Sequence, residues 1–255
     1  MTSTQSTSAA ALVAEGHAKL QAGHLREAED FYRRALALDP GQPEALAFLG
    51  MMAGQAGQLP TAIEFFERAL KRAPRNADIH HNLGETWRNL DEPLKALRCY
   101  ERATICNPRH IEAYRCAAEA ALIEARRREA AGRWGDAAGF KQRAVRFWIA
   151  GAKLLIGSGN QNGAAELLKR ATEIDPQCAE AWALYGSTLV GFYPSRAVVA
   201  LRRAIELDPA KPWVHGLLCN ALTYLRRDDE AQIAWQATRT APNFFDSWIT
   251  LTQFE

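Results

Sequence analysis

Within residues 43–74, apolar side chains fall at Leu46, Leu49 and Ala53, and again at Ala62, Phe66, Ala69 and Leu70. This is the three-and-four spacing of two helical faces. Gly57 and Pro60 lie between the runs and Pro74 closes the second. Glycine weakens a helix, and proline is tolerated only in its first turn. The stretch therefore predicts two short antiparallel helices, with Glu64, Glu67, Arg68 and Lys71 turned to water. The phrase then returns along the chain. Prolines recur at Pro40, Pro74, Pro108, Pro176, Pro209 and Pro242, and alanines keep step at Ala28, Ala62, Ala96, Ala164, Ala197 and Ala231. A fixed period of about 34 residues is the mark of one helix pair stacked on copies of itself.

Small and large residues alternate across the predicted pairs. Gly50, Gly84 and Gly186 fall inside first helices, where glycine costs about 1 kcal/mol against alanine. Close approach of the facing second helix offsets that cost. Tyr32, Phe66, Tyr100, Leu168, Leu201 and Trp235 are the large residues expected to lie opposite.

The motifs AFLG (47–50), HNLG (81–84) and WALYG (182–186), with the six proline-ended phrases, resemble the tetratricopeptide repeat. The resemblance covers residues 9–244 and implies an all-α, right-handed superhelical solenoid of about seven antiparallel helix pairs. Residues 1–8 are expected to be disordered, and residues 245–255 to begin a further repeat that is not finished. All eleven prolines fall at helix boundaries on this reading, including Pro43, Pro93, Pro194 and Pro212 as helix openers.

The ladder misses a beat between Pro108 and Pro176. No proline interrupts residues 109–175, and the pattern predicts two longer helices, from about Ile111 to Ala131 and from about Asp136 to Ile156. The turn GRWGD joins them, with Asp136 as the expected cap. It stands about seven residues later than the period requires.

Composition narrows the function. A net charge of +2 in 255 residues gives no electrostatic case for nucleic acid or an anionic membrane. The most apolar stretch, residues 144–157, is too short to span a bilayer and carries Arg146 and Lys153. The first residues lack the basic start and apolar core of an export signal. A cytoplasmic protein is expected. Cys99, Cys106, Cys116, Cys178 and Cys219 have no paired spacing and read as small, mostly buried, reduced residues. No nucleophile–base set or Cys/His cluster stands out, so neither catalysis nor a metal or cofactor is expected.

The resemblance implies a partner segment held in the concave groove lined by first helices. The groove positions in the middle of the chain are His81, Glu85, Arg88, Asn89, Arg115, Glu119, Arg146 and Lys153, with His17 and Met51 before them and Ser187, Asn220 and Tyr224 after. Their mix of charge suits a polar peptide. The lysine–asparagine clamp of chaperone-binding relatives is absent, because Val13 and His17 stand there. The asparagine ladder of the nucleocytoplasmic sugar transferases is reduced to Asn82, flanked by Phe48 and Cys116 one period away. The expected function is a non-catalytic protein-binding scaffold. The alternatives are a targeting arm of a glycosyl-, sulfo- or methyltransferase, and self-association through Phe244, Phe245, Trp248 and Leu251 in the C-terminal helix.

Overall fold

The computed structural model describes residues 8–240, which form thirteen helices and no strand. They fall into two compact units, residues 8–123 and 124–240. The first holds α1 (Ala9–Gln21), α2 (Leu25–Leu38), α3 (Pro43–Gln55), α4 (Leu59–Arg72), α5 (Ala77–Asn89) and α6 (Pro93–Cys106). A longer α7 (Ile111–Ala130) passes from one unit into the other. The second holds α8 (Trp134–Gly157), α9 (Gln161–Ile174), α10 (Ala179–Leu189), α11 (Pro194–Leu207), α12 (Pro212–Tyr224) and α13 (Asp228–Thr240). Packing is strongest between successive helices: α1 with α2, α3 with α4, α5 with α6, α8 with α9, α10 with α11, and α12 with α13.

Two kinds of turn build this arrangement. Inside every described hairpin but α10–α11, the first helix is followed by a residue in the left-handed region: Gly23, Gly57, Gly132 and Gly159, but Asp91 and Arg226 elsewhere. The next N–H then reaches back to the carbonyl five residues before it, as from Gln58 to Ala53 (2.9 Å) and Arg133 to Arg128 (2.8 Å). This closes the helix end with the bond pattern that favours glycine there. Between hairpins, an Asp or Asn precedes Pro40, Pro108, Pro176 and Pro209, whereas Ala73 precedes Pro74. The Oδ1 atoms of Asp39, Asn107, Asp175 and Asp208 accept from the backbone N–H two residues on, at 3.0–3.1 Å. The ladder proline's carbonyl is met by a side chain six residues later in three places. Trp182 donates to Pro176 (3.0 Å), while the Nε2 atoms of His80 and His215 lie 3.0 and 3.3 Å from Pro74 and Pro209. Pro242 lies outside the described residues.

The core is the expected small-against-large stack. Tyr32, Phe66, Tyr100, Leu168 and Leu201 are fully buried. A Cβ added to Gly50, Gly84 or Gly186 would stand 2.9 Å from Phe66, 2.6 Å from Tyr100 and 2.5 Å from Leu201. Trp235 departs from this pattern and is 45% exposed. The matching place on α12, seven residues after its first residue as Gly50, Gly84 and Gly186 are in their helices, holds Cys219 rather than glycine. Asp136 also departs from expectation. Arg133 is the cap of α8, and Asp136 lies in its first turn, paired with Arg133 (2.5 Å) and Arg128 (3.7 Å). Of the cysteines only Cys116 is buried; the other four are half-buried, and all five are free. No helix among the described residues is long and apolar enough to cross a membrane.

Candidate functional site

In the unit of residues 8–123, α5 and α7 are first helices of their pairs and carry the expected groove positions in register. Residues 81 and 115 stand 34 apart, as do 85 and 119. His81, Glu85 and Arg88 follow one another at helical spacing along α5, and Arg115 and Glu119 do so along α7. Gly84 decides how the two layers meet. With no Cβ at that place, the Tyr100 ring of α6 lies against α5, and its hydroxyl donates to Glu85 Oε1 at 2.6 Å. The second carboxylate oxygen of Glu85 is held by Arg88. Arg115 sits between two carboxylates, with its Nε 3.0 Å from Glu112 Oε2 and its Nη1 2.7 Å from Glu119 Oε1. The Cys116 thiol lies 3.7 Å from Glu112 Oε1. The His81 ring stacks on His110 at 5.0 Å between centroids and tilts against Tyr100 at 5.6 Å.

Burial and charge tune these groups in opposite directions. Burial holds the His81 imidazole below its ordinary 6.5, against the pull of Glu85, so the ring is neutral in a neutral solution. Burial pushes the Cys116 thiol up to about 12, and Glu85 adds to the effect. A buried protonated thiol is a poor nucleophile. Tyr100 is raised by burial and by its bond to Glu85. The hydrogen bond from Arg115 lowers the Glu112 carboxyl. The His81 Nε2 atom is buried and has no hydrogen-bond partner. His81, Glu85 and Cys116 place one nitrogen, one oxygen and one sulfur donor within 4.8 Å of one another. The arrangement can hold charged groups or a cation, and it offers no activated nucleophile.

Of the eight groove positions picked from sequence, five come together here: His81, Glu85, Arg88, Arg115 and Glu119. Asn89 is exposed at the end of α5. Arg146 and Lys153 belong to the other unit, where both are exposed and Lys153 pairs with Glu180 of α10 at 2.7 Å. The self-association residues Phe244, Phe245, Trp248 and Leu251 lie outside the described residues. Residues 8–123 also contain an open cleft of about 160 Å³ beside His17, Met51 and Asn82. Tyr32 lines it, with a buried hydroxyl that has no hydrogen-bond partner.

Sequence reasoning missed Tyr100, His110, Glu112 and Cys116. Tyr100 reads as a packing residue, which it also is. Cys116 carried a usable signal: it stands one period after Asn82.

Residues 13–77 match the family model of the tetratricopeptide repeat. No curated protein matches the sequence. Several solved structures are similar. The C-terminal part of a repeat-containing protein from Cytophaga hutchinsonii shares 17% identity over 86% of this chain and 76% of that one, with a TM-score of 0.49. A tetratricopeptide repeat protein from Parabacteroides merdae shares 17% over 96% and 98%, with a TM-score of 0.41. YrrB, described as having an unusual peptide-binding site, shares 17% over 68% and 90%, with a TM-score of 0.37. At these scores the likeness is one of helical construction, and it says nothing of what this chain binds.

Proposed function

We propose that this tetratricopeptide-repeat protein is a non-catalytic scaffold that binds a polar, charged partner segment on the first-helix face of its repeats. Stacked helix pairs of this kind are protein-interaction modules. The observation that supports the finer reading is the half-buried charge cluster on α5 and α7. His81, Glu85, Arg88, Arg115 and Glu119 are held on two regular helices, so the array is ordered before a partner arrives. Its ion pairs are partly exposed, and such pairs contribute only about 0–1 kcal/mol each. A partner carboxylate can therefore replace Glu112 or Glu85 on an arginine at small cost, and guanidinium favours a two-point grip on it. Asn89 extends this surface. Arg146 and Lys153 provide a separate basic surface in residues 124–240.

The test is affinity capture from the source cells with the unaltered chain and with the Arg88→Gln, Arg115→Gln double variant. Neutral replacements add no further acid beside Glu85, Glu112 and Glu119. Quantitative mass spectrometry should show at least a tenfold loss of the enriched partner, with helical content by circular dichroism unchanged. Undiminished capture by the double variant overturns the reading.

A further inference from the structure

We propose that His81, Glu85 and Cys116 form a binding site for a zinc-class divalent cation, built across the α5–α7 face of residues 8–123. The three donor atoms lie within 4.8 Å of one another. A tetrahedral zinc ion with bonds of about 2.0–2.3 Å asks for donor separations of about 3.3–3.8 Å. Closing the set therefore takes movements of the donor atoms of about an ångström. His81 and Glu85 are four residues apart on one turn of α5, which aims both side chains the same way. Cys116 comes from α7, a whole repeat later.

Four further features point to a cation rather than to a chance meeting. The His81 Nε2 atom is buried with no hydrogen-bond partner, although buried polar atoms are nearly always satisfied. The ring is already oriented, stacked on His110 and tilted against Tyr100. The Tyr100 hydroxyl holds Glu85 Oε1 at 2.6 Å, the outer hydrogen bond that fixes a ligating carboxylate in metal sites. Finally, the neighbourhood carries one carboxylate in excess, with Glu85, Glu112 and Glu119 facing Arg88 and Arg115. On binding, Cys116 releases its proton to solvent and bonds through sulfur, and a divalent ion then brings these groups to overall neutrality.

The donor set selects the metal. Nitrogen and thiolate sulfur favour zinc-like ions, whereas magnesium and calcium ask for an all-oxygen shell. Three protein donors leave a fourth tetrahedral position for water or an incoming group. The site does not rest on the partner-binding reading, because zinc uptake is measured with no partner present.

The experiment uses the full chain without an affinity tag, stripped with a chelator and titrated with zinc chloride in a calorimeter. One ion per chain is expected. Cobalt(II) in place of zinc should give a sulfur-to-metal charge-transfer absorption. Cys116→Ser should abolish that absorption and weaken zinc binding at least a hundredfold, while Cys178→Ser changes neither. Glu85→Gln, close in shape and able to keep the Tyr100 bond, should also weaken zinc at least tenfold. Absence of uptake at micromolar zinc overturns the proposal. So does an absorption band that survives Cys116→Ser, or full affinity in Glu85→Gln.

Discussion

Gly84 shows at the scale of one residue how packing and site are joined. Its missing side chain lets Tyr100 lie against α5, and the same approach carries the phenol to Glu85. Alanine would restore about 1 kcal/mol of helix propensity. Its Cβ would also stand 2.6–3.0 Å from three ring carbons of a fully buried tyrosine. Overpacking of that kind costs about 1–3 kcal/mol, so steric conflict outweighs propensity. Gly84→Ala should lower unfolding free energy in urea by about 1–2 kcal/mol. Gly54 is the control, because a Cβ there meets only Ala62 at 3.9 Å, an ordinary contact. Gly54→Ala should raise stability by about 0.5–1 kcal/mol. Equal effects at the two positions would refute the close-approach account. The ladder of small residues was legible in sequence; the hydroxyl that crosses it to Glu85 was not.

The missing proline accounts for the unusual element. A strict period would place a proline at 142, and the chain has Gln142 there, exposed within α8. The left-handed turn moves as well. Thirty-four residues after Asp91 comes Ala125, buried within α7, and the turn falls later, at Gly132. One helix then serves two hairpins. The start of α8 is tied to α7 through Arg128–Asp136 (3.7 Å) and Lys141–Glu129 (2.5 Å), and α8 also packs against α9. Gln142→Pro would reinstate the ladder residue in the middle of a continuous helix. It removes a backbone N–H bond and clashes with the preceding turn, at about 3 kcal/mol or more. Equilibrium unfolding should register a loss of that size, although the replaced side chain is exposed. A neutral result would mean that a helix boundary persists near residue 142.

At the scale of the whole chain, the two units have separate internal contacts, and each repeat leans mainly on its sequence neighbours. Stability in such an arrangement is a sum of repeat and nearest-neighbour contributions. A local defect should therefore stay local. Gly186→Ala drives a Cβ to 2.5 Å from Leu201, between α10 and α11. Hydrogen exchange followed by mass spectrometry should show lost protection in α9 to α12, with α1 to α4 unchanged. Uniform loss across all thirteen helices would instead indicate a single cooperative block.

The sequence by itself determined the helix pairs, their order and their small-against-large core. All of these follow from apolar spacing, turn residues and proline placement, which are properties of neighbouring residues. It also marked five members of the cluster as groove positions, because a period carries each position into the next repeat. Only the tertiary structure decided that Tyr100 reaches Glu85, that the His81 nitrogen is buried and unpartnered, and that Cys116 closes a three-donor set. It likewise left Trp235 exposed where the pattern expected burial. The physical reason is the same in each case. Periodicity fixes which face of a helix a residue occupies. How deeply its side chain is buried, and what it touches, depends on residues a repeat away that stacking brings within a few ångströms.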